Sequence, residues 1–145
     1  MKKLKKYSIF ILLLIGLTAC SKKKIELPKS KDLENIKVTE VIKEKKEEEQ
    51  DIVNINKEED INNFIDSVSS ATKTKQSSIS DEPTNVDKYF IISLNHKDSK
   101  NNNSKFYIYK SKKYSDDKYV YLEQPYRGIF RIKKDKLKDI NWLND

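Results

Sequence analysis

Between residues 88 and 132 the chain carries four short runs rich in β-branched and aromatic residues, and these limit what it can fold into more than any other feature. The runs are Tyr89-Phe90-Ile91-Ile92-Ser93-Leu94, Phe106-Tyr107-Ile108-Tyr109, Tyr119-Val120-Tyr121-Leu122-Glu123 and Ile129-Phe130-Arg131-Ile132. Each has the length and composition of a strand. Polar segments separate them: residues 96–104 with three consecutive asparagines, the lysine-rich stretch 110–118, and Gln124-Pro125-Tyr126-Arg127-Gly128. In the last of these, proline can open a turn and glycine close it. Connections this short make an antiparallel meander the simplest pairing. Because side chains alternate across a strand, Phe106 and Ile108 share one face and Tyr107 and Tyr109 the other. On the next strand Tyr119 and Tyr121 oppose Val120 and Leu122. The expected sheet has an apolar inner face and a tyrosine-rich outer face.

Upstream, residues 32–42 carry Leu33, Ile36, Val38, Val41 and Ile42. Ile36 and Val38 alternate with polar neighbours, which favours a strand, although the spacing also permits a helix. Residues 43–51 (KEKKEEEQD) form a dense charge run that reads as a solvated loop or helix end. Asn56 can cap a helix, and Glu59 three residues on would complete a capping box. Ile61, Phe64, Ile65 and Val68 then fall at i, i+3, i+4 and i+7, the stripe of an amphipathic helix from Lys57 to about Ser70. Residues 72–84 are polar, rich in Ser and Thr, and end in Asp81-Glu82-Pro83. A connection this long is either flexible or functional. Leu137, Ile140 and Trp142 mark a short C-terminal helix within residues 134–143. The expected class is α+β in the order β-α-β-β-β-β-α. One long helix and one short one pack on a four- to five-stranded, mainly antiparallel sheet.

The N-terminus has a different character. Lys2, Lys3, Lys5 and Lys6 precede an apolar run from Tyr7 to Leu17. A membrane span needs about 20 apolar residues, and this run is far shorter. It fits a secretory signal with small residues at its cut, here Gly16, Thr18 and Ala19. Leu17-Thr18-Ala19-Cys20 resembles the lipobox of bacterial lipoproteins. That resemblance implies a signal peptide over residues 1–19 and a diacylglyceryl thioether at Cys20, with cleavage before it. A further acyl chain such as palmitate would complete the anchor, since two chains hold stably where one does not. Residues 20–31 would then be tether and 32–145 a single domain, on the extracytoplasmic face of the cell membrane. Cys20 is the only cysteine, so it can form no intramolecular disulfide. Abundant Asn, Ile and Lys with little Gly suggest a low-GC Gram-positive host. Lys22, Lys23 and Lys24 would either draw in anionic headgroups or act as a solvated spacer.

The formal charge of +7 overstates the basicity of such a product. Four of the 30 basic residues and none of the 23 acidic ones lie in the signal, which leaves 26 against 23, or +3. With no groove-reading motif, nucleic acid is not an expected partner. His96 is the sole histidine, and a zinc site needs three or four ligands. Only two glycines are present, so neither a nucleophile elbow nor a phosphate-cradling loop can be written. Asp81 and Glu82 are adjacent in a loop and suit a cap or turn. No catalytic residue, metal or cofactor is expected. The candidate binding residues are Tyr107, Tyr109, Tyr119, Tyr121, Tyr126 and Arg127, because tyrosine offers contact area plus a hydroxyl. The same residues have high strand propensity and suit half-buried positions. Lys110, Lys112, Lys113, Lys118 and Arg127 would favour an anionic wall polymer or acidic lipid, or are simply solvated.

Two further motifs, Ser78-x-x-Asp81-x-Pro83 and Tyr121-x-Glu123-x-Pro125-Tyr126-x-Gly128-Ile129, lie within residues 72–132. In this span the chain resembles an uncharacterised family of small extracytoplasmic domains of Gram-positive bacteria. The resemblance implies a compact domain and an interaction role, and it carries no catalytic residue. The leading expectation is therefore an anchored lipoprotein with a small binding domain. A tethered regulator or immunity-type protein acting on another envelope protein is the alternative, and a hydrolase comes last.

Overall fold

The computed structural model describes residues 24–44, 47–98, 100, 103–110 and 116–144. The apolar N-terminal run, Cys20, Lys22, Lys23, Lys112 and Lys113 lie outside the described residues. Seven strands form one sheet: β1 (Leu33–Ile42), β2 (Glu48–Ile55), β3 (Thr72–Lys73), β4 (Lys88–His96), β5 (Ser104–Tyr109), β6 (Tyr119–Gln124) and β7 (Gly128–Lys133). Helix α1 (Glu58–Ser69) lies between β2 and β3, and α2 (Asn141–Asn144) follows a 3-10 turn after β7. The sheet order is β2-β1-β4-β5-β6-β7-β3, and every pairing is antiparallel. The expected meander is present as β4 to β7.

The α+β class is as expected, but the sheet has seven strands rather than four or five. The two extra strands are edge strands, and β2 confines its apolar residues, Ile52, Val53 and Ile55, to its second half. In β2, residues 48–52 are all solvent-exposed, so that stretch needs no hydrophobic pattern. The charge run read as a loop is in part this strand, and its Glu48, Glu49 and Asp51 discourage pairing with another sheet edge. Strand β3 has only two residues and is held by Arg131 and Phe130 of β7. Helix α1 begins one residue later than the capping box required. Its N-cap is Lys57, with no side-chain cap, so Asn56 and Glu59 do not form the box. The acidic first turn of Glu58, Glu59 and Asp60 complements the helix dipole instead.

One face of the sheet carries Ile36, Val38, Phe90, Ile92, Phe106, Ile108, Leu122, Phe130 and Ile132, all buried. Ile61, Phe64, Ile65 and Val68 of α1 close over it. Burying each such side chain contributes about 1.5–3 kcal/mol. A register shift between Leu33 and Asn35 breaks the alternation of β1 at its start, and Leu33 joins the same cluster as Ile36. Trp142 caps this core, 5.2 Å edge-on from Phe90 and 6.1 Å from Phe64.

The opposite face has a second core of Val41, Tyr89, Tyr107, Tyr109 and Ile129, joined by Val86. Its cover is irregular chain. Residues 74–87 contribute Ser78, Pro83 and Val86, all buried. The long connection that composition left undecided is thus the lid of the second face.

Candidate functional site

The lid and the β6–β7 hairpin meet at Glu123. This residue sits in β6 opposite Tyr107 and Ile129, and only 5% of it is exposed. Ser78 Oγ donates to Glu123 Oε1 at 2.6 Å, and the Tyr109 phenol donates to Oε2. One carboxylate therefore ties lid, β5 and β6 together. Beside it the Tyr107 phenol donates to the Asp81 backbone carbonyl at 2.7 Å. Tyr89 packs edge-on to Tyr107 with ring centroids 5.5 Å apart. Burial pushes the Tyr107 phenol well above the usual tyrosine range, and the nearby Glu82 charge adds to it. The Tyr89 phenol is raised for the same first reason, with Lys43 opposing.

The hairpin tip has a tightly specified backbone. Tyr126 adopts φ 59 and Gly128 φ 135. Both lie where ordinary side chains are strained, and at Gly128 a Cβ would meet Lys73 Cε at 2.7 Å. Tyr126 is 65% exposed, and the neighbouring Asp81 carboxylate raises the pKa of its phenol. Arg127 pairs with Glu26. The two segments marked from sequence, 78–83 and 123–128, are therefore one structural unit, joined by the Ser78–Glu123 hydrogen bond.

The tyrosine-rich outer face is corrected by this geometry. Tyr107 and Tyr109 are buried under the lid and present no contact surface. Alternation fixed their face correctly, but an irregular lid has no period by which a sequence can announce it. Tyr119 and Tyr121 remain half-buried at the open end of β6, and Tyr126 and Arg127 are exposed at the hairpin tip. His96 lies on β4 five residues beyond Ile91, the partner of Tyr107, or about 17 Å along the strand from the Glu123 cluster. Among the described residues no group of three or more His, Cys, Asp or Glu side chains could hold a metal ion. Among them, too, no helix is long and apolar enough to cross a membrane.

A separate groove of about 950 Å³ opens between β2, α1 and the C-terminal segment. Phe64 and Trp142 give it aromatic surface, and Asn54, Asp60, Asn63 and Asp139 add amides and carboxylates. Mixed linings of this kind on a concave surface suit a polar ligand with some apolar face. Sequence reasoning missed this groove because three distant segments build it. The one local hint was Trp142, a large aromatic beyond the last strand.

In comparisons with known proteins, residues 21–131 match the family model DUF5301, described as "Domain of unknown function (DUF5300)". No curated protein and no solved structure matches the chain.

Proposed function

We propose that this chain, which belongs to the DUF5301 family, is a lipid-anchored protein that presents a small binding domain on the extracytoplasmic face of a cell membrane. The groove between β2, α1 and α2 carries the binding half of this reading. It has the volume of a ligand site, and its residues include exposed Ile52 and the half-buried Trp142. The anchor half rests on Cys20 at the end of an apolar run too short to span a bilayer. The family match begins at residue 21, directly after that cysteine. Glu123 and the tyrosines around it are committed to structural hydrogen bonds, and His96 stands about 17 Å along β4 from them, which supports binding over catalysis.

The test is photo-crosslinking in intact cells from a benzophenone side chain at Asn63 in the groove, with one at Tyr126 as reference. Capture of wall glycan at Asn63 is the expected result. Capture of one membrane protein there would favour a tethered regulator, and no groove product above the Tyr126 level would reject the groove. The anchor is checked separately: Cys20→Ala should abolish labelling by a fatty-acid analogue, and labelling that persists would refute it.

A further inference from the structure

The chain enters the fold at one edge of the sheet and lies along it. Lys24 bridges to Thr72, Thr72 pairs with Arg131, and Arg131 pairs with Tyr121. Directly paired residues point to the same side, so Lys24, Arg131 and Tyr121 form a row on one face. Two residues along, Lys133 pairs with Tyr119 on that face. The entering segment is also clamped to the β6–β7 hairpin. Gln124 Nε2 donates to the Glu26 carbonyl at 2.7 Å, the Glu26 N–H donates to Gln124 Oε1 at 3.2 Å, and the Glu26 carboxylate pairs with Arg127. The direction of chain entry is therefore set by the fold.

This surface combines cations with tyrosines. Lys24, Arg131 and Lys133 are exposed, and none of them forms an ion pair among the described residues. The Arg131 guanidinium lies over the Tyr119 ring at 4.7 Å from its centroid. Of the anions beside the patch, Asp116 is occupied by the Lys118 and Tyr119 N–H groups and the Tyr121 phenol, while Asp117 and Asp135 stand with Lys118 and Lys134 around Tyr119 and Lys133. Amphipathic phenols beside cations are the chemistry of the membrane–water interface. The far edge has the opposite charge. Strand β2 exposes Glu48, Glu49 and Asp51, has no cation of its own, and stands six strand steps from β3, about 29 Å away.

We propose that the β3–β7 edge of the sheet, with Lys24, Arg131, Lys133, Tyr119 and Tyr121 beside it, rests on an anionic membrane surface and holds the acidic β2 edge outward. Chain length supports this, on the premise that Cys20 is the lipid anchor. Cys20 precedes Lys24 by four residues, a reach of at most about 14 Å. Arg131 is two strand steps from Lys24, about 10 Å. The patch is therefore held close to the headgroups. Each cation there adds about fivefold to membrane affinity. The groove, which β2 helps to line, is turned away from the bilayer.

The test uses the purified full chain, whose mass first reports whether Cys20 is acylated. The chain is reconstituted in phosphatidylglycerol or phosphatidylcholine vesicles with a polarity-sensitive dye on Asp117→Cys, beside the patch, or on Glu49→Cys, on the far edge. With Cys20 acylated these are the only free thiols. Headgroup-nitroxide quenching at Asp117→Cys is expected in phosphatidylglycerol alone, relieved by high salt and by the Arg131→Glu, Lys133→Glu pair. Glu49→Cys should stay unquenched. Equal quenching at both sites, or quenching indifferent to lipid charge, overturns the orientation while the acyl mass keeps the anchor. If the mass shows no acyl group, the anchor reading falls, and the chain is mixed with the same vesicles from solution. Phosphatidylglycerol-dependent sedimentation, weakened at least about thirtyfold by the paired reversals, then sustains the patch. Sedimentation unaffected by them, or on both lipids alike, ends it.

Discussion

The two faces of the sheet solve the same problem by different means. On one, a regular helix closes an aliphatic and phenylalanine core, and burial alone holds the layers together. On the other, a stretch with no regular structure over residues 74–87 covers three tyrosines and a glutamate, and side-chain hydrogen bonds hold it down. An irregular lid brings backbone polar groups with it, and a tyrosine-lined floor has hydroxyls to meet them. The first face should therefore respond mainly to lost volume, and the second to lost polar partners.

Phe106→Ala tests the first half most severely. Phe106 is fully buried, and its ring stacks on Phe64 with centroids 6.4 Å apart. Truncation should cost about 3–5 kcal/mol, read as a lower midpoint in urea unfolding. A loss under about 1 kcal/mol would mean that α1 packs loosely on the sheet.

Glu123→Leu is the matching test of the second face, with a smaller expected loss of about 2–3 kcal/mol. The volume is nearly kept, but the Ser78 and Tyr109 hydroxyls lose their acceptor in a buried place. Replacing the donors as well sharpens the point. The triple variant Ser78→Ala, Tyr109→Phe, Glu123→Leu should be more stable than Glu123→Leu alone, because apolar groups then face one another. A triple variant no better than the single one would mean that the lid is held by shape rather than by hydrogen bonds.

The same contrast explains what could be read from the chain. Ile61, Phe64, Ile65 and Val68 announced α1 by their spacing, and the four β-rich runs announced β4 to β7, because periodic elements that bury one side must repeat. The turns 78–83 and 123–128 were marked as motifs, but their meeting through Ser78 and Glu123 joins residues 45 positions apart. No local rule contains that contact. Strand β2 was hidden because an edge strand open to water can be built from Glu, Gln and Asp. The groove was hidden because Asn54, Asn63 and Trp142 acquire a shared purpose only after folding.

The smallest effect is also the most specific to the lid. Tyr107→Phe removes one hydroxyl and its bond to the Asp81 carbonyl, which should cost about 1 kcal/mol at neutral pH. The larger signature lies at alkaline pH. A tyrosine in the unfolded chain titrates near 10, whereas burial raises the Tyr107 phenol well above that value. Above about pH 10 the folded state then holds a proton that the unfolded state has released. Stability from this group is complete below the unfolded value and falls as pH rises toward the folded one. Tyr89 adds to the same decline, since its phenol is raised by burial too. Urea midpoints from pH 7 to 11 should therefore fall for the native chain and fall less steeply for Tyr107→Phe. Identical alkaline slopes would show that the lid opens to solvent often enough for Tyr107 to titrate as if unfolded. The second face would then be a loosely held cover, and its resemblance to the helix-closed face would end at the floor of the sheet.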